Sequence, residues 1–425
     1  MRARLGWGQR FAPNVWLLMA NTFFVFTGLG IFVLVFNLYL ASLGFREDYI
    51  GLFSFANTAA IGGSAIPAGL LSNRFGPRAC LAVASILMGL VTVGVSLTTD
   101  PALIVVGGVV LGASNALIFV PSGPFLMDNA ADDERLQVFS ANFAVNAAAS
   151  VLGSLASGYM PGAFAALLRL GAAESTPAYR LTLLASALAC LLGAPPMLLA
   201  RPGRRRPATS KPGAPAVVPL DERTARQVLV ALSAAVTLIA FATGLIVPFF
   251  NVYFSERLGA SVEEIGVIYA VASLLMVPAS LLGPAAARRL GTVGAIALFR
   301  TITVPFLVCT PLFPSLSMGA LTYVARAGFM SVTWPLDNAF AMGLMPPRMR
   351  ATQAGVRSAS WNVGWAVASL MAGQLIVGVG YTVVFVGSAL FTLAGTAYHY
   401  AVFRRHEAKQ VAVGPVSSLE ARRGS

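Results

Sequence analysis

Short polar clusters cut this 425-residue sequence into twelve apolar runs, at 14–41, 49–71, 79–97, 102–127, 136–160, 180–200, 227–256, 264–286, 293–313, 316–344, 352–378 and 381–403. A helix needs about 20 apolar residues to cross about 30 Å of hydrocarbon. Lipid offers the backbone no hydrogen bonds, so a spanning segment must satisfy its own. The runs therefore read as twelve transmembrane α-helices, an all-α membrane protein. Hydrophobic residues make up 57% of the chain and charged residues 11%, at a mean hydropathy of +0.77, which excludes an ordinary soluble globular domain. The basic start (Arg2, Arg4, Arg10) precedes a run too long for a signal-peptide core, so that run is expected to stay as the first helix.

The runs fall into two related sets of six. Phe36-Asn37-Leu38-Tyr39-Leu40 leads through Leu43-Gly44 and the acidic Glu47 and Asp48 to Ile50-Gly51. Phe250-Asn251-Val252-Tyr253-Phe254 leads through Leu258-Gly259 and Glu263, Glu264 to Ile265-Gly266. The Asn pair and the Tyr pair each lie 214 residues apart (251 − 37, 253 − 39). A second echo pairs Asp128-Asn129, at the end of run 4, with Asp337-Asn338 in run 10. After each comes a helix rich in small residues, with Gln137 and Asn146 in one and Gln353 and Asn362 in the other. A repeat of this length makes two pseudo-symmetric six-helix halves. The expected division is 1–200 for the first half, 201–226 for a Pro- and Arg-rich linker that lies near anionic lipid headgroups, 227–403 for the second half and 404–425 for a polar, disordered tail.

The charge balance is +13. In a soluble protein that would suggest nucleic acid, but here it follows the enrichment of Lys and Arg in cytoplasmic loops. With both termini inside, 22 of the 29 Lys and Arg fall in cytoplasmic segments and four in outer loops. That bias places the N- and C-termini in the cytoplasm, the setting being a bacterial inner membrane. Cys80, Cys190 and Cys309 lie in apolar runs without metal-ligand spacing, and no catalytic motif or metal site is read.

Between runs 2 and 3, residues Gly69-Leu70-Leu71-Ser72-Asn73-Arg74-Phe75-Gly76-Pro77-Arg78 resemble the signature loop of the major facilitator superfamily, Gly-x-x-x-Asp-Arg-x-Gly-Arg-Arg/Lys. Gly69, Arg74, Gly76 and Arg78 match, while Asn73 replaces the Asp and Pro77 a basic residue. Arg288-Arg289-Leu290-Gly291 keeps a remnant in the second half. The resemblance covers roughly 14–403. It implies the two-half fold of that family and secondary active transport of small organic molecules by alternating access, with membrane lipids around a monomer. It implies no enzyme activity and no cofactor. A coupling proton or other ion is compatible with it. Two stretches common in the family are missing. Gly108 and Leu111 stand where an Arg-x-x-Gln-Gly stretch would put Arg and Gln, and 153–158 holds no Gly-Pro pair.

Intramembrane charges are costly and so mark functional candidates. In the family helices 1, 4, 7 and 10 line a central cavity. Arg326, near the middle of run 10, is the candidate anchor for an anionic or amphiphilic substrate, with Asn37, Tyr39, Asn115, Asn251, Tyr253 and Trp334 as further substrate contacts. Asp128, Asp337 and Arg357 join Gly69, Asn73, Arg74, Gly76 and Arg78 as signature-loop and gating residues, Arg357 and Asp337 being a candidate latch. Arg300 and His399 are assigned to peripheral helices. The competing readings are a drug or multidrug efflux permease and a non-transporting membrane receptor on the same fold.

Overall fold

A computed structural model describes residues 11–130, 134–170, 172–201, 222–346 and 349–413. Most of the linker (202–221) and the last twelve tail residues (414–425) lie outside the described residues. All described secondary structure is helical. In chain order the helices are α1 (Pro13–Ser42), α2 (Glu47–Phe75), α3 (Pro77–Leu97), α4 (Pro101–Asn129), α5 (Arg135–Leu168), α6 (Thr176–Leu192) and α7 (Ala194–Leu199). They continue as α8 (Glu222–Ile246), α9 (Phe250–Val252), α10 (Val262–Ser280), α11 (Leu282–Leu290), α12 (Thr292–Leu312), α13 (Leu316–Leu344), α14 (Arg350–Val379) and α15 (Tyr381–Val413).

Eleven helical segments among the described residues are long and apolar enough to cross a membrane. α13 is not one of them, although it runs for 29 residues. Its sequence carries Arg326, Asp337 and a series of hydroxyl residues, so polar groups dilute its apolar character. Many of the large apolar side chains face outward, Ile66 at 76% and Leu167 at 78% exposure among them. Water would not tolerate so much exposed apolar surface on a monomer, and lipid requires it.

Three expected runs are broken, each at proline. Pro248 removes a backbone donor, and α8 gives way to a 3₁₀ turn (Val247–Phe249), the short α9 and a π-turn (Tyr253–Arg257). Pro284 cannot donate to the Ser280 carbonyl, and the eighth run splits into α10 and α11. Gly193, Pro195 and Pro196 separate α6 from α7. At the other extreme α15 continues to Val413, ten residues past its expected end and into the tail.

The chain clusters into two compact units. The first holds the described residues of Met1–Thr209 together with Asn251–Leu274, and the second those of Ser210–Phe250 and Leu275–Ser425. In the first, α1 packs on α5 and α6, and α3 on α4 and α6. In the second, α8 packs on α14 and α15, and α12 on α13 and α15, which is the same arrangement repeated. The segment Asn251–Leu274 joins the first unit through the Asn251 side-chain amide, which donates to the Leu34 carbonyl at 2.7 Å. Gly158 and Gly266 meet there, a Cβ on Gly158 falling 3.1 Å from the Gly266 Cα.

Glycine sets the corresponding crossings in both units. A Cβ on Gly30 of α1 would lie 3.1 Å from the Gly153 Cα of α5, and one on Gly153 would lie 2.6 Å from the Thr27 carbonyl oxygen. In the second unit a Cβ on Gly244 would lie 2.6 Å from the Trp365 carbonyl oxygen, and one on Gly364 would lie 2.7 Å from that of Thr237. Gly30 and Gly244 are 214 residues apart (244 − 30), the spacing of the Asn and Tyr pairs. Only backbones stripped of side chains approach this closely, the usual way for membrane helices to gain packing contact. Gly76 and Gly291, with φ of 85° and 74°, close the equivalent turns into α3 and α12 in a conformation that favours glycine.

Candidate functional site

The second unit buries a cluster of charges. Asp337 of α13 is 5% exposed. Its Oδ2 accepts from Nη2 of Arg357 at 2.7 Å, and Nη1 of the same arginine donates to the Asp337 carbonyl oxygen at 3.1 Å. Arg300 Nη2, from α12, lies 3.5 Å from the same Oδ2, and His399 Nε2, from α15, lies 3.4 Å from Oδ1. Four helices thus bring two guanidiniums and an imidazole onto one carboxylate. Phe340 and Phe403 flank the imidazole, with centroids 5.9 and 5.0 Å away. A buried carboxylate is tolerable only when paired and hydrogen-bonded, and this one is.

A cavity of about 240 Å³ opens beside the cluster, lined by Arg300, Asp337, Gln353 and Arg357 and also by Trp334 and Trp361. The two indoles meet edge to face at 5.1 Å. Met330, Met342, Val236 and Ile239 add apolar lining, and Thr333, Asn338 and Ser358 add polar lining. Gln353 is 2% exposed, and among the described residues its Oε1 has no hydrogen-bond partner, nor has Nε of Arg300.

Arg326 lies elsewhere on α13, eleven residues before Asp337, or about 16 Å at helical rise. It is 9% exposed. No hydrogen bond or ion pair to it exists among the described residues, the nearest electrostatic neighbour being Tyr323 one turn earlier. A buried guanidinium is a fork of five donors that must be satisfied by something.

The other expected contacts separate into two groups. Tyr39 is fully buried and its hydroxyl donates to the Ser96 carbonyl at 2.8 Å. Asn251 spends its amide on Leu34 and accepts from its own neighbour, Val252 N, at 3.0 Å. Tyr253 is buried beside Phe254. The Tyr39 and Asn251 bonds each join two separate helical segments. Asn37 and Asn115 are half-buried and Trp334 is exposed.

In the signature loop, Asn73 and Arg74 are exposed, and the Arg74 guanidinium sits over the Phe75 ring. Arg78 donates from Nε to the Met197 carbonyl at 2.9 Å and from Nη2 to that of Leu198. It therefore holds the last carbonyls of α7, the end of a helix where a cation is favoured. Gly69 makes no close approach: a Cβ there would be 3.9 Å from Val120 Cγ1. Asp128 is half-buried and has no ion pair among the described residues, unlike Asp337. Ser85, not an arginine, stands 215 residues before Arg300 (300 − 85). Its hydroxyl accepts from Asn21 at 2.9 Å, so the first unit has a neutral polar contact where the second has a charge.

Membrane-spanning length, an all-helical repeat and buried charge within it define an integral membrane protein of the transporter class. The sequence matches the family model of the Major Facilitator Superfamily over residues 18–367 and again over 232–423, and the chain belongs to that family. No curated protein sequence matches it. Among solved structures it is similar to the nucleoside transporter NupG, with a TM-score of 0.74 and 12% identity over 92% of this chain and 99% of that one. It is also similar to a bacterial homologue of the human lysosomal transporter Spinster in an inward-facing and occupied conformation, with a TM-score of 0.71 and 16% identity over 92% and 96%. A D-xylose-proton symporter matches with a TM-score of 0.71 and 16% identity over 91% and 97%. At these identities the likeness is one of fold.

Proposed function

We propose that this protein is a secondary active transporter that moves a small organic anion by alternating access, with Arg326 as the anchor for the anionic group. The observation that carries the reading is a buried guanidinium, well inside the 29-residue α13, that has no hydrogen bond or ion pair among the described residues. A charge at that depth is expensive unless paired. Arginine pairs best with a carboxylate or phosphate, through two parallel hydrogen bonds. A substrate that supplies the missing anion would be bound by the charge that the empty protein leaves uncompensated. In the same proposal the chain crosses an inner membrane twelve times, as a monomer with both termini in the cytoplasm.

A ligand that binds the folded protein raises its stability by mass action, by about 2.7 kcal/mol at a hundred times its Kd. Purified protein and Arg326→Ala are screened by thermal shift against small anions, cations and neutral drug-like compounds, and the stabilising compounds are then assayed for uptake into proteoliposomes. The expected result is stabilisation of the wild type by anions and its loss in Arg326→Ala, with Arg326→Lys in between. Equal stabilisation of both proteins by neutral or cationic compounds would instead support an efflux permease. Binding without any transport would support a receptor.

A further inference from the structure

We propose that the cavity beside Asp337 is a second binding site, built for a small hydroxycarboxylate with an apolar or aromatic side group. The first argument is charge. Arg300 and Arg357 bring two positive charges to the buried cluster and Asp337 one negative, so one positive charge is unmatched among the described residues that line the cavity. His399, at 3.4 Å from the same carboxylate, adds no negative charge in either of its protonation states. A monoanion beside the two guanidiniums closes the balance in a place where unbalanced charge is costly.

The second argument is hydrogen bonding. Buried polar atoms nearly always have a partner. Here Arg300 Nε is an unused donor and Gln353 Oε1 an unused acceptor, on side chains that are 4% and 2% exposed and line the same cavity. A carboxylate oxygen accepts from the guanidinium, while a hydroxyl on the neighbouring carbon donates to the amide oxygen. Gln353 and Arg357 are four residues apart on α14 and so share one face. Arg300 lines the same cavity, so one small molecule bound there meets all three side chains.

Size and the remaining walls narrow the class. The cavity volume is about 240 Å³. That is below the usual range for drug-sized ligands, about 300–1,000 Å³. Trp334, Trp361, Met330 and Met342 add apolar lining, which suits a ring or branched chain. The site lies about 16 Å along α13 from Arg326 at helical rise, and its existence is independent of the anchor role proposed there.

The test is titration of the purified full-length protein with mandelate, followed by tryptophan fluorescence and calorimetry. Mandelate is expected to bind and change the indole emission. Mandelamide, which lacks the charge, is expected to bind at least tenfold more weakly, and phenylacetate, which lacks the hydroxyl, several-fold more weakly. Arg357→Gln should weaken mandelate at least tenfold. Gln353→Met leaves every charge in place, guarding against a folding defect, and should erase the preference for mandelate over phenylacetate. In Arg326→Ala, which removes the other proposed anion site, mandelate should still bind and still change the indole emission. Absence of binding, equal binding of mandelamide, or loss of binding in Arg326→Ala would each overturn the assignment.

Discussion

Asp337 shows what one residue carries in this chain. Its carboxylate is shared by Arg357, Arg300 and His399, so replacing it strands two guanidiniums in a low-dielectric interior. Removing one partner of a buried pair typically costs about 3–5 kcal/mol. Asp337→Asn is therefore expected to lower the melting temperature in detergent sharply, and Asp337→Asn with Arg300→Met to recover part of the loss; a double variant no better than the single one would refute the coupling. The Arg357–Asp337 contact was legible because both residues stand near adjoining ends of consecutive helices. Arg300 and His399 were not. Apolar runs reveal that a helix spans, but a helix apolar on all sides does not reveal which face turns inward. The available signal was arithmetic: few carboxylates occur in or near the runs, so each buried cation has few places to go. Tyr39 and Asn251 show the same limit from another side. Recurrence in both halves suggests a shared role but does not give the partners, and in the structure Tyr39 bonds the Ser96 carbonyl and Asn251 that of Leu34.

At the level of elements, helix existence could be read from hydropathy and helix integrity could not. Pro248 and Pro284 sit inside runs that look continuous, yet each ends regular α-helical hydrogen bonding near its position. Proline alone is no sufficient signal, since Pro67 and Pro335 lie within unbroken α2 and α13. The crossings set by glycine are more predictable, because their spacing follows the repeat. In α14, Gly364 faces the α8 backbone while Gly378 has nothing within 4 Å of its would-be Cβ. Gly364→Leu would drive a side chain into the Thr237 carbonyl and is expected to cost about 1–3 kcal/mol or more. Gly378→Ala should be neutral or stabilising by up to about 1 kcal/mol, since alanine is the better helix former. Thermal unfolding of the two variants side by side checks the pair. Equal melting temperatures would mean that α8 and α14 do not rely on close backbone approach.

Across the whole molecule, the two units repeat one packing plan with different electrical content. α1, α5 and α6 correspond in their packing to α8, α14 and α15. Ser85 and Asn21 nevertheless form a neutral contact in the first unit, and Arg300, Asp337, Arg357 and His399 a charged one in the second. Duplication explains the fold; divergence of buried polar residues must explain the chemistry, and so only the fold is fully written in the repeat. The distribution of exposed charge makes a separate claim, about orientation. If 22 of 29 Lys and Arg lie in cytoplasmic segments, the stretch 201–226, with seven of them, should anchor that side. A fluorescent protein fused after Ser425 should therefore fold and fluoresce in cells, since it matures in the cytoplasm. Alkaline phosphatase inserted in the outer loop near Arg46 should be active and, inserted near Arg204, inactive. The opposite pattern would invert the orientation and, with it, the side from which each site fills. Replacing Arg204, Arg205 and Arg206 by alanine removes only three of the 22 charges, so the pattern should persist. A flip on that change alone would mean that the linker, rather than the summed charge of all cytoplasmic loops, sets the topology.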